Sequence, residues 1–210
     1  MSGVRWCHAA LIAAAMSAGV GAAVAQGTGT SSSLSSEINI RSDSEPGWLP
    51  SEDQRRDAIK SAADFFSRLD SGRYDGAYAM MSEPNRRALP LQQFVRENQE
   101  FRYRAGPLKQ RTLLKITWAK DPAAAPIRGV YAAIDIASQY ANIDRHCGFV
   151  VLYQKSPGDG FEVMRQESNF IDNSSAQKIE RQRSRAELDK AWATLAANCP
   201  NYDAKLPKSG

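Results

Sequence analysis

The stretch GVYAAIDIASQY, Gly129 to Tyr140, decides the fold. Successive side chains of an extended chain point to opposite faces. Val130, Ala132, Ile134 and Ile136 therefore share one face, and Tyr131, Asp135 and Gln139 share the other. Upstream, Arg111 to Ala119 alternates in the same way, with Leu114, Ile116 and Trp118 on one face, and a loop follows from Asp121 to Pro126. Downstream, Gly148 to Gln154 is apolar on both faces, as a central strand is. Ser156-Pro-Gly-Asp-Gly160 is a hairpin turn signal, and Phe161 to Ile171 supplies a fourth strand.

The residues before this block repeat at helical spacing. Ser51 is a good N-cap, Glu52 and Asp53 suit the positive end of a helix dipole, and Ala58, Ala62, Phe65, Phe66 and Leu69 form one stripe. Ser71-Gly72 stops that helix. A second, short helix runs from Tyr74 to Met81 and is broken at Glu83-Pro84-Asn85; a third runs from Pro90 to Tyr103 and ends at Ala105-Gly106-Pro107. Helices followed by strands, rather than alternating with them, give an α+β domain over residues 51–173: three N-terminal helices on a four-stranded antiparallel sheet. From Ser174 to Cys199 the pattern is helical again, with Ile179, Leu188, Trp192, Leu195 and Ala196 as its apolar stripe, so 174–210 reads as a C-terminal helix and tail.

The N-terminus reads as an address. Arg5 precedes a run of small and apolar residues from Ala9 to Val20, and Ala23-Val-Ala25 offers small residues where a signal peptidase cuts. The run is shorter than the roughly 20 residues needed to span a bilayer. Residues 1–25 are therefore expected to be a signal peptide, with an exported, periplasmic product that is not membrane-spanning after cleavage. Residues 26–50, rich in Gly, Ser and Thr, read as a flexible linker. Cleavage leaves two cysteines, Cys147 and Cys199, whose pairing in an oxidising compartment would clip the C-terminal helix to the sheet. Over the whole chain, 27 basic residues are balanced against 23 acidic ones, which lacks the one-sided excess of a nucleic-acid binder.

Several motifs together resemble a known family. Ala62-Ala-Asp-Phe-Phe-Ser-Arg-Leu-Asp-Ser-Gly-Arg-Tyr-Asp-Gly-Ala-Tyr78 contains Leu-Asp-x-Gly-x-Tyr; Phe94, Arg102, Gly106-Pro107-Leu108 and Arg111 follow, then Gly129-Val-Tyr131 and Asp159-Gly160-Phe161-Glu-Val163. In order and spacing these resemble the bacterial family called domain of unknown function 4019, with Phe161 where Trp is usual. The resemblance covers roughly residues 55–172 and implies a cone-shaped fold similar to nuclear transport factor two and ketosteroid isomerase, in which helices cover a curved sheet and leave a pocket. It implies no activity. Phe66, Tyr78, Phe94, Ile116, Trp118 and Ile134 are the residues expected to line such a pocket.

No catalytic set converges in the sequence. Asp135, flanked by Tyr131 and Gln139, is the best internal carboxylate for an isomerase-type base. The more apolar opposite face should meet the helices, which puts Asp135 on the solvent side. His146 and Cys147 are neighbours on a strand and should point apart, against Cys–His chemistry. The one histidine left after the expected cleavage removes His8, His146, with scattered carboxylates lacks metal-ligand spacing, so no metal or cofactor is expected. Arg86-Arg87 and Arg102/Arg104 offer either an anion-binding patch or, as the simpler reading, surface charge at helix ends balanced by Glu97 and Glu100, and Asp70-Ser-Gly-Arg-Tyr74 reads as a glycine cap with a packed tyrosine rather than a catalytic corner. Arg181, Arg183 and Arg185 form the densest basic run, an exposed helical face or a contact for an acidic partner. The leading expectation is a non-enzymatic binding or scaffolding module of the envelope, taking a small apolar ligand or an envelope protein. The alternatives are a pocket-carboxylate isomerase or hydrolase and a partner-binding protein acting through the basic helix.

Overall fold

The computed structural model describes residues 38–42, 47–199 and 202. The segment expected to be a signal peptide, 1–25, and most of the expected linker and tail lie outside the described residues. Within the segment read as linker, β1 (Ile38–Ser42) forms a short strand.

Helix α1 (Glu52–Asp70) begins at the expected cap. The Ser51 hydroxyl accepts from the Gln54 backbone N–H at 3.1 Å, and the Gln54 side-chain oxygen accepts from the Ser51 N–H at 3.0 Å, a reciprocal capping box. Helix α2 (Tyr74–Ala79) follows the turn at Gly72. The expected break at Glu83-Pro84 is instead a short helix, α3 (Glu83–Ala88). Pro84 lies in its first turn, where a missing N–H costs nothing and the fixed φ suits a helix. Helix α4 (Leu91–Ala105) ends at Gly106, whose φ of 69° is accessible to glycine and strained for other residues. A Cβ there would also sit 2.9 Å from the Asn142 amide nitrogen.

The strands β2 (Leu108–Lys120), β3 (Val130–Tyr140), β4 (Ile143–Gln154) and β5 (Glu162–Asp172) make an antiparallel meander in chain order. β1 adds to its edge, parallel to β2 over Ile116–Lys120. One face of the sheet meets α1 to α4 in a core that includes Phe65, Phe66, Phe94, Trp118, Ile134, Val150 and Leu152. The region between α2 and α3 is tied to β5 through main-chain hydrogen bonds between Val163 and Met80 and Ser82.

The predicted alternation of β2 holds only in part. Ile116 pairs with Ile134 and Trp118 with Ala132, but the register shifts between Leu113 and Lys115. Leu113, not Leu114, then stands opposite Ile136, and Arg111 stands opposite Ser138. This bulge moves Arg111 onto the helix-facing side of the sheet, because one extra residue flips every later side chain to the other face.

The other face is not solvent. α5 (Asn173–Gln182) and α6 (Arg185–Ala196) pack there around Cys147, Ile171, Ala176, Leu188, Trp192 and Cys199. The C-terminal region is two helices rather than one. Ser184 caps α6 by accepting from the Glu187 N–H at 3.2 Å, and Ser-x-x-Glu is itself a helix-start signature. Cys147 and Cys199 form the expected disulfide, with Cα atoms 6.2 Å apart. Arg145, buried beside it, pairs with Asp144 at 2.9 Å and Asp189 at 2.7 Å. Asp135 is only 3% exposed, contrary to the expectation of a solvent position. It lies between its cross-strand neighbours Lys115 and Phe149 on a face whose aromatic side chains, Tyr131, Phe149 and Tyr153, are also buried.

Candidate functional site

A cavity of about 540 Å³ opens at the end of the helix-facing side of the sheet, between the C-terminal ends of α1 and α4 and the strands β2 to β5. Its apolar walls are Phe66, Leu69, Phe101, Pro107, Leu108 and Ile136, and its polar groups are Asp70, Asn98, Arg102, Arg111, Tyr140, His146, Gln166 and Ser168.

The β2 bulge aims Arg111 at the last residue of α1. Its Nη1 donates to Asp70 Oδ2 at 2.5 Å and its Nη2 to Asp70 Oδ1 at 3.1 Å, a two-pronged contact that fixes both groups. Nη2 also donates to the Tyr140 hydroxyl at 2.8 Å and Nε to the Ser138 hydroxyl at 3.1 Å. The guanidinium lies over the Phe66 ring, 4.5 Å from its centroid. Burial opposes the Arg111 charge, but Asp70 and Tyr140 outweigh it, so the group is held above its ordinary pKa. Burial likewise pushes the Tyr140 hydroxyl up, against the pull of Arg111.

His146 lies behind this pair. The Ser138 backbone N–H donates to its Nδ1 at 3.2 Å. A ring nitrogen that accepts carries no proton, so the neutral ring carries its hydrogen on Nε2, which faces the Ser168 hydroxyl at 3.2 Å. Burial, with repulsion from Arg111, pushes the imidazole pKa down to about 3. Phe101 and Tyr140 pack against the ring with centroids 6.4 and 5.5 Å away. His146 and Cys147 do point to opposite faces, one toward the cavity and one into the disulfide.

A pattern over residues 61–164 matches the family described as protein of unknown function (DUF4019). Residues 61–164 carry a domain of this family. No curated protein and no solved structure significantly matches the chain. One group of the motif residues through which the sequence resembles DUF4019 meets at this cavity: Leu69, Asp70, Arg102, Gly106, Pro107, Leu108 and Arg111 all line it. Gly72, with φ of 75°, adjoins it; a Cβ there would lie 2.5 Å from Arg102 Nη1, so the glycine leaves room for that side chain. The Asp70-to-Tyr74 corner is thus more than a cap, since its first residue anchors Arg111. Gln166, Ser168, α5, α6 and Cys199 lie beyond the residues matched to DUF4019.

Of the residues expected to line a pocket, Phe66 reaches this cavity. Phe94, Ile116, Trp118 and Ile134 are buried in the core, and Tyr78 packs against it while donating from its hydroxyl to Arg86 O at 2.9 Å and Leu89 O at 3.0 Å. They fill the space between helices and sheet, so the opening lies at its end. Arg87 pairs with Glu83 at 2.6 Å and Arg104 with Asp172 at 3.2 Å, while Arg86 is turned onto the Ala79 and Met81 carbonyls. Arg181, Arg183 and Arg185 are exposed; Arg181 donates to Gln177, and Arg185 pairs with Glu180 and Asp189. A second space of about 560 Å³ at the opposite end of the domain, by Trp48, Gln54 and Gln154, is rimmed by surface charges. The Gln54 amide donates to Gln154 at 2.8 Å there, and the Gln154 amide donates to the Asp159 carbonyl at 2.7 Å, which is a structural tie. Among the described residues no cluster of His, Cys, Asp or Glu could hold a metal ion.

Proposed function

We propose that this protein is a non-enzymatic binding module of the cell envelope, exported to the periplasm, on a cone-shaped fold like that of nuclear transport factor two. The observation that carries the reading is the cavity of about 540 Å³ with one apolar wall and a set of polar groups already fixed to one another. A volume of that size suits a small molecule, and apolar walls with a few placed polar groups are the usual make-up of ligand sites. The ligand that fits has an apolar body and a polar end, rather than being wholly apolar. Helices α1 to α4 covering one face of the antiparallel strands β2 to β5 support the cone-shaped architecture, and the disulfide supports an oxidising compartment.

The same geometry weighs against the pocket-carboxylate enzyme. Asp70 is the carboxylate in the cavity, and both its oxygens are held by Arg111. His146 is neutral with both ring nitrogens engaged, so neither group is poised to take a proton near neutral pH.

The test uses N-phenyl-1-naphthylamine, a neutral aromatic probe whose fluorescence rises in apolar surroundings. The full exported protein should show saturable one-to-one binding, weakened at least about tenfold when Gln166→Trp fills the cavity, the equivalent of about 1.4 kcal/mol. Binding without saturation, or binding untouched by Gln166→Trp, would overturn the proposal.

A further inference from the structure

We infer that the cavity selects a small organic monoanion, such as a carboxylate on an aromatic or branched apolar body, with Arg102 at the rim reading the charge. This rests on the proposed binding role and names its ligand class. The charges around the cavity carry it. Arg111 and Asp70 neutralise one another in a two-pronged pair, and His146 is uncharged. That leaves Arg102, which lines the cavity and takes part in no ion pair among the described residues. The cavity thus carries a net charge of one positive unit, supplied at its opening.

The polar groups inside match an acceptor better than a donor. Three Arg111 nitrogens give five N–H groups, of which four are used on Asp70, Tyr140 and Ser138, leaving one on Nη1. Ser168 accepts from His146 Nε2, so its own hydroxyl hydrogen is left to donate. Asn98 uses one amide N–H on the Phe94 carbonyl at 2.8 Å and keeps the other. A cation would meet Arg102 with no compensating carboxylate, since Asp70 is committed. A neutral ligand would leave the charge of the exposed Arg102 at the cavity rim without a partner. An anion resolves both, and Phe66, Leu69, Phe101 and Ile136 receive the apolar body. The position of Arg102 is built in: its guanidinium lies where a side chain on residue 72 would stand, against the α1 terminus that carries Asp70.

The experiment displaces N-phenyl-1-naphthylamine from the full exported protein with 4-phenylbutyrate and with its neutral amide, 4-phenylbutyramide. The carboxylate should displace the probe at a concentration at least about tenfold lower than the amide, the scale of one charge-assisted contact. Arg102→Met should bring the two ligands to within about twofold, and Arg102→Lys should retain most of the preference, since it keeps the charge. Equal displacement by acid and amide in the wild type overturns the inference while leaving the binding site standing. A preference that survives Arg102→Met also overturns it. Failure of the neutral probe itself to bind at this cavity refutes the underlying binding role instead.

Discussion

Replacing His146 with Asn tests whether the buried imidazole is held neutral. Asn can present an oxygen to the Ser138 N–H where Nδ1 accepts it, but it does not titrate. The native ring has a pKa of about 3, against about 6.5 for an unfolded histidine. Between these values the unfolded chain binds a proton that the folded chain refuses, so stability falls as pH falls through that window and is unaffected above it. Each pH unit within the window is worth about 1.36 kcal/mol, which gives a loss of roughly 2–3 kcal/mol between pH 6.5 and 4.5. Urea unfolding of wild type and His146→Asn at pH 7, 6, 5 and 4.5 measures it. Carboxylates common to both proteins cancel in the difference. Wild type should be the more stable at pH 7 and should lose that advantage by about 1.4 kcal/mol per unit below pH 6. A difference that stays flat with pH, or an imidazole that titrates near 6.5 in the folded protein, would refute the reasoning.

The Asp70–Arg111 pair should cost about 2–3 kcal/mol when Asp70→Asn removes its charge, because a half-buried guanidinium is left without its counter-ion. A loss below about 0.5 kcal/mol by urea unfolding would mean the pair is a mere surface contact. The disulfide closes a loop with a sequence separation of 52 residues, so Cys199→Ser should lower stability by about 3–4 kcal/mol under oxidising conditions. An unchanged unfolding midpoint, or peptide mapping that finds both thiols free in the protein under oxidising conditions, would contradict the clip.

Much of the fold was legible because the strands obey simple alternation. Val130, Ala132, Ile134 and Ile136 face the helices as their spacing requires, and the Ser51 cap and the Gly106 stop stand where the residues place them. The candidate site was not legible, for a local reason. Strict alternation carried back from Trp118 and Ile116 through Leu114 puts Arg111 on the far face, and only the bulge between Leu113 and Lys115 returns it to the cavity. No strong breaker residue marks that bulge. Without Arg111, Asp70 read as part of a turn and His146 as an isolated histidine. The sequence reads the Asp135 face as polar, whereas Asp135 is buried there together with Tyr131, Phe149 and Tyr153. The break between α5 and α6 did leave a signal, Ser184-x-x-Glu187, masked by the charged run around it. Ile38–Ser42 is too short, and set among too many serines, for its alternation to stand out as a strand.

Backbone amide shifts during a titration of the full chain with 4-phenylbutyrate address the binding cavity most directly. The account predicts saturable shifts concentrated at Leu69, Asp70, Phe101, Gly106, Arg111 and Ser168, with the opposite end of the sheet around Val130 and Gln154 unmoved. Shifts that cluster at that opposite end, or that scatter over the surface without saturating, would contradict it.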